Sequence, residues 1–345
     1  MEHSKKCLVL FAALNLGLAA CAQRGTPIVA PPAPVLLDHP TGELPAKISQ
    51  TGLFLDPACE IPSERVIPYN LRYALYSDDN DKSRYLFLPP GSKIDNSEAQ
   101  QWQFPEGALL FKTFYLTAKG GRNLPWRKIE TRVLQRRRAG WQAGTYQWNA
   151  NGSEAFLTDG NDVQFPFMLP LGNYVYTLPG QLACRACHQP QPNFVIGFEM
   201  IRLSKWQGAS GKWQLEELKD KNIFLYPEKI APVEIPGTDL EKEALGYLHG
   251  NCAHCHNPAS PIFFSTNLDL RYARAKHSTI NAVPQKFAGS DSSSLRIKPG
   301  YPQQSLLFQL MAHTFSDTSI IMPPLGTSMI DTAGLELVRK WIEAL

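Results

Sequence analysis

Cys184-Arg185-Ala186-Cys187-His188 and Cys252-Ala253-His254-Cys255-His256 share one pattern, C-x-x-C-H. Two thiols at this spacing can each add to a vinyl group of one haem, while the following imidazole binds the iron from the same side. Two other chemistries compete. The pairs together offer a four-thiolate zinc site, and either pair alone offers a redox disulfide in an exported protein. Neither of these needs a histidine after the second cysteine. Histidine is 8 of 345 residues, so its chance occurrence at both places has odds of about 0.0005. The spacing therefore favours two covalent haems, with Cys184, Cys187, Cys252 and Cys255 as thioether partners and His188 and His256 as axial ligands.

An opposite axial ligand for the second haem is found in Ile321-Met322-Pro323-Pro324-Leu325-Gly326. The prolines hold an open loop from which a thioether can reach the iron. Met322 lies 66 residues after His256 and just before a closing helix, and Met329 and Met311 are the reserves. His254 reads as a variable position inside its motif, and His249 lies too close to His256 to cross the haem plane. For the first haem, Met200, Met168, His277 and His313 compete, and an open position there would permit catalysis.

The elements that must position these groups follow from pattern. Thr238-Asp239-Leu240-Glu241 is a capping box, so a helix begins there, with Leu240, Ala244 and Leu248 on one face leading into Cys252. A second helix is expected near Pro302, carrying Leu306, Leu307 and Leu310. A third runs from Thr332 with Asp331 as its cap, burying Leu335, Val338, Trp341, Ile342 and Leu345. Upstream the period changes to two. Residues 84–88, 108–116, 128–136 and 140–148 read as strands, and Asn151-Gly152 supplies a hairpin turn before residues 155–157. The expected class is α+β: a β-rich, sheet- or sandwich-like domain over 51–180, a first haem-binding segment over 181–235 and an all-α domain over 236–345.

Apolar residues make up 43% and charged residues 19% of the chain, a globular balance that excludes a disordered or fibrous protein. A net charge of +3 gives no push towards nucleic acid. No repeat of twenty to fifty residues is visible, which excludes solenoids and propellers. Lys5 and Lys6 precede an apolar run over 8–20 that is too short for a comfortable span and reads as an export signal over 1–20. Leu18-Ala19-Ala20-Cys21 resembles a lipobox, with Cys21 as the lipidated residue, and Ala22 favours the outer membrane. The proline-rich stretch over 21–50 reads as a semi-rigid tether. Arg127, Lys128, Arg132 and Arg136-Arg137-Arg138 read first as a solvated, edge-protecting face and second as a dock for an acidic partner. Cys59 is left over once the other cysteines are assigned, and reads as buried and inert.

The C-terminal layout of helix, C-x-x-C-H, helices, methionine loop and closing helix resembles a class I cytochrome c. The resemblance widens with Ala74-Leu75-Tyr76-Ser77-Asp78, Trp102-Gln103-Phe104-Pro105-Glu106-Gly107, Val195-Ile196-Gly197-Phe198, residues 247–256, Lys298-Pro299-Gly300-Tyr301-Pro302 and Met322-Pro323-Pro324-Leu325-Gly326-Thr327. From about residue 60 onwards the chain is similar to a family of exported dihaem c-type cytochromes with no established substrate. The resemblance implies haem c, electron transfer and redox protein partners such as a dehydrogenase or another cytochrome, at a lipid-anchored site facing the periplasm or cell surface. Two other functions are open at this point: a peroxidase-type enzyme with an open first haem, and a binding module with accessory haem.

Overall fold

The computed structural model describes residues 34–99, 101–116, 126–169, 172–191, 193–204, 211–285, 294–315 and 321–345. The signal and lipidation expectations, including Cys21, lie outside these residues. The architecture is α+β. Strands β1 (Phe54–Asp56) and β2 (Ile61–Pro62) pair with each other. Strands β3 (Ile67–Pro68), β4 (Asp81–Phe87), β5 (Leu109–Leu116), β6 (Arg127–Arg137), β7 (Gly140–Trp148) and β8 (Ala155–Leu157) form one six-stranded antiparallel sheet in sequential order. This is a single meander rather than two sheets packed face to face. A separate hairpin, β9 (Val163–Leu169) and β10 (Gly172–Leu178), runs into helix α1 (Gln181–His188). The remaining helices are α2 (Met200–Leu203), α3 (Gln214–Asp220), α4 (Asp239–Asn251), α5 (Pro261–Thr266), α6 (Ala275–Thr279), α7 (Leu306–Met311) and α8 (Thr332–Glu343).

Register explains the sheet's two faces. Leu86, Leu110 and Leu134 oppose one another across β4, β5 and β6. This row joins a core with Trp102, Phe104, Leu203, Leu215 and Phe224, with Phe198 set edge-on to Tyr69 at 4.9 Å. Successive residues point to opposite faces, so Phe87, Leu109, Phe111 and Val133 line the far side. There Leu36, Leu37, Ile48 and Leu53 cover them. The expected tether therefore does not reach residue 50. Its last part is packed because Leu36, Leu37 and Ile48 are the apolar cover that the sheet's second face needs.

The helical part follows its sequence signals closely. Thr238 Oγ1 accepts from the Glu241 amide at 3.2 Å, and the Asp331 carboxylate accepts from the Gly334 amide at 2.8 Å. Val338, Trp341 and Ile342 of α8 are buried with Leu245 and Leu248 of α4. Two expectations change. Pro302 heads a single 3-10 turn over Pro302–Gln304, and the α-helix starts only at Leu306. Leu345 is 40% exposed, because the helix ends at Glu343 and the last residue leaves the buried face.

Segment 69–77 joins the sheet to α4. Gly246 and Gly250 present no side chain, so Tyr73 lies directly across the helix, and an added Cβ on Gly246 would meet its ring at 2.1 Å. Tyr76 donates its amide to Asn251 Oδ1 at 2.6 Å, one residue before Cys252.

Candidate functional site: two adjoining C-x-x-C-H segments

Helix α1 starts where the β9–β10 hairpin ends. Gly180 is its N-cap and packs so tightly that an added Cβ would meet the Gly160 carbonyl at 2.4 Å. The Gln181 amide donates to that same carbonyl at 2.8 Å. Within the helix, positions i, i+3 and i+4 share a face, so Cys184, Cys187 and His188 point the same way. Cys184, Cys187 and His188 are half-buried, whereas Leu182 on the same helix is 85% exposed. The second motif is a turn at the end of α4. Cys252 is the C-cap, and the His256 amide donates to its carbonyl at 2.9 Å, which reproduces the same one-sided display.

The fold brings these two segments, distant in sequence, together. One ligand atom each from Cys187, His254 and Cys255 lies within 4.8 Å of the others. Gln191 Nε2 donates to the His254 carbonyl at 2.6 Å and ties the turn after α1 to the second motif. All four motif cysteines are free thiols. The Cys187 thiol is held below its ordinary value, chiefly by the Cys255 thiol and then by His254, while the same contact pushes Cys255 up. Burial pushes Cys252 up to about 12 and also raises Cys184. His254, which the spacing marks as a variable position, is thus buried at the junction with an unpartnered Nδ1. No sequence signal distinguishes it, since only the tertiary contact with Cys187 gives it a role.

The residues fit a haem. A carbonyl can only accept, so the 2.7 Å contact between His188 Nδ1 and the Phe194 carbonyl places the proton on Nδ1. The Nε2 lone pair is left for a metal, the arrangement that orients ligating histidines. Burial holds both His188 and His256 down to about 4, so each imidazole is neutral, the ligating form. The His256 Nδ1 is buried without a partner.

Met322 lies in a loop whose backbone is anchored at both ends. Its own amide donates to the Leu310 carbonyl at 3.2 Å, and the Asp78 carboxylate accepts from the Ser328 and Met329 amides at 2.9 Å. Met329 packs against Leu116, Ile129, Tyr176 and Leu178. Among the other methionines, Met200 packs against the Phe198 core and Met311 against the α4–α8 core. The side chain of Met168 lies outside the described residues. His249 Nε2 donates to the Glu199 carboxylate at 3.1 Å, and the ring is buried under Tyr272. Burial works against the Glu199 charge, but His249 and Arg202 hold its carboxyl down to about 2.

The basic residues divide in a way that sequence alone does not reveal. Arg138 is exposed, and Arg137 pairs with Glu43 at 2.8 Å. Both line a cleft of about 660 Å³ with Trp141, Arg185 and Phe194, beside the first motif. Lys128 and Arg132 point inward instead. Lys128 Nζ sits 4.0 Å over the Trp148 ring and donates to the Pro57 carbonyl. Arg132 makes a two-pronged pair with buried Glu130, at 2.5 and 3.0 Å. Cys59 is disulfide-bonded and only half-buried, so it is not an inert buried thiol.

No family model matches the chain, and no curated protein or solved structure shows significant similarity to it. Among the described residues no helix is long and apolar enough to cross a membrane.

Proposed function

We propose that this chain is an exported dihaem c-type cytochrome, anchored through Cys21 and passing electrons between redox proteins such as a dehydrogenase and another cytochrome. One observation carries the reading: the two C-x-x-C-H segments adjoin through Cys187 and Cys255, with His188 already held in the tautomer that presents Nε2. Redox groups anchored at adjoining thiols can exchange electrons with no carrier between them. Cys184 and Cys187 would hold the first haem with His188, and Cys252 and Cys255 the second with His256 and Met322. The haems supply one-electron iron chemistry, and a methionine ligand raises the potential. The α4–α8 unit is the cytochrome c-like part in this reading. The chain's own residues then have three tasks. The β9–β10 hairpin fixes α1, the Tyr73–α4 clamp fixes Cys252, and Asp78 holds the methionine loop. The cleft lined by Arg137, Arg138 and Arg185 suits an acidic partner next to the first motif.

The junction also favours a second reading. Two thiols and an imidazole within 4.8 Å of one another are a Cys₂His set for a tetrahedral metal such as zinc. Covalent haem counting on exported, mature protein separates the two. Intact mass, a pyridine haemochrome assay and zinc content are measured on the wild type, Cys187→Ala, His188→Ala and His254→Ala. Two haems, falling to one in Cys187→Ala, support the relay. A chain with no haem at the first motif and one equivalent of zinc, lost in both Cys187→Ala and His254→Ala, would establish the metal site instead.

A further inference from the structure

Register places three cations side by side in the middle of the sheet. Arg84 on β4 opposes Lys112 on β5, and Lys112 opposes Arg132 on β6. They share the face that carries the Leu86–Leu110–Leu134 row, two residues further along each strand. The next row on that face is Lys82, Phe114 and Glu130. Like charges directly opposed across strands are destabilising, and an unpaired charge away from water is more so. These two rows nevertheless hold four basic side chains and one carboxylate.

That carboxylate is already engaged. Glu130 accepts from both Arg132 Nε and Nη2, and the Tyr176 hydroxyl donates to it as well. Lys82 donates to the Leu75 carbonyl at 2.5 Å and feels Asp78 and Asp81. Arg84 and Lys112 are different. Among the described residues neither side chain has a hydrogen bond or ion pair, although Arg84 is only 7% exposed. Lys112 Nζ rests 4.6 Å over the Phe114 ring, with Arg132 over the same ring at 4.3 Å. Thr145, the cross-strand neighbour of Arg132, lines one cavity together with Cys184, so the row lies beside the first motif.

We propose that Arg84, Lys112 and Arg132 form a carboxylate-binding site on the inner face of the sheet, and that its occupants are the propionate groups of the haem joined to Cys184 and Cys187. Guanidinium forks flanking an ammonium suit carboxylate oxygens. Such a group neutralises the excess charge and gives Arg84 and Lys112 partners that they lack among the described residues. The propionate assignment rests on the dihaem reading. The carboxylate site itself does not, and a small diffusing carboxylate is its other source.

The test uses the full, exported chain as wild type, Lys112→Met and the charge-retaining Lys112→Arg, with the haem count measured on each sample. Lys112→Gln is carried in parallel in case the methionine variant fails to fold. For bound propionates, Lys112→Met keeps the wild-type haem count but lowers the potential of one haem, because a cation near the iron disfavours the oxidised, more positive state. Lys112→Arg restores that potential. The melting temperature is also titrated with acetate and with succinate at constant ionic strength. A concentration-dependent rise in the wild type that is lost in Lys112→Met, with potentials unmoved, assigns the site to a diffusing carboxylate. Unchanged potentials together with no carboxylate response overturn the site. A chain without haem fails the dihaem reading on its own count, and the acetate and succinate titrations still decide the site.

Discussion

Gly246→Ala tests how the second motif is held. Position 246 has an ordinary helical backbone, and alanine is favoured over glycine in a helix interior by about 1 kcal/mol. Helix propensity alone therefore predicts a more stable protein. Packing predicts the reverse. The new Cβ would lie 2.1, 2.2 and 2.5 Å from Cε1, Cζ and Cδ1 of Tyr73, distances at which something must move. The ring has little room to retreat, being 5% exposed and capped by the Arg72 guanidinium at 4.8 Å. Its backbone is pinned on either side, by Arg72 N to the Arg202 carbonyl at 2.8 Å and Tyr76 N to Asn251 at 2.6 Å. Overpacking of this kind costs about 3 kcal/mol, at the upper end of the usual range, which leaves a net loss of about 2 kcal/mol. Urea denaturation followed by far-UV circular dichroism measures it. In a Tyr73→Leu background the clash is relieved, and Gly246→Ala should become neutral or stabilising by about 1 kcal/mol, a coupling that a double-mutant cycle reads directly. If the proposed second haem is present, its attachment at Cys252 and Cys255 should fall and recover in the same order, because α4 ends at that motif. A single Gly246→Ala variant more stable than wild type would refute the clamp.

Three other outcomes follow from the same reasoning. Asp78→Ala removes the acceptor of the Ser328 and Met329 amides and should cost about 2 kcal/mol, with faster hydrogen exchange across 322–330; Asp78→Asn, which keeps one acceptor oxygen, should cost less. Thr131→Val leaves the Trp148 Nε1–H and the Thr113 hydroxyl without their 3.0 and 2.8 Å partner inside the sheet, for a loss of about 3 kcal/mol by urea denaturation; an unchanged midpoint would mean that both groups find another partner. Glu60 has its carboxyl raised from the ordinary 4.5 to about 7 by burial, against the opposing pull of Lys128 and Ser83. A folded value above the unfolded one means that the protonated form is favoured, so its contribution is full below pH 4.5 and is lost as pH rises through 7. Stability should drop by about 2 kcal/mol between pH 5 and 8, after allowance for solvent screening of a half-buried group. Glu60→Gln should flatten that slope.

What the sequence determined by itself is local. The Thr238 and Asp331 caps fix α4 and α8, because a side-chain oxygen satisfies amide donors within its own turn. Period-two patterns mark β4 through β8 to within a few residues, because alternate side chains must serve opposite faces. The two C-x-x-C-H motifs display their thiols and imidazole on one side for the same short-range reason. Everything that relates distant segments was decided by the tertiary structure. Leu36, Leu37 and Ile48 look like part of a proline-rich tether until the sheet's far face requires them. His254 looks like a variable position until Cys187, 67 residues earlier, arrives beside it. Arg132 looks like one of several surface arginines until strand register sets it against Lys112, with Glu130 as its partner. Spacing along a chain encodes geometry over a helical turn or a strand repeat, whereas register, burial and charge pairing between segments exist only after the chain has closed on itself.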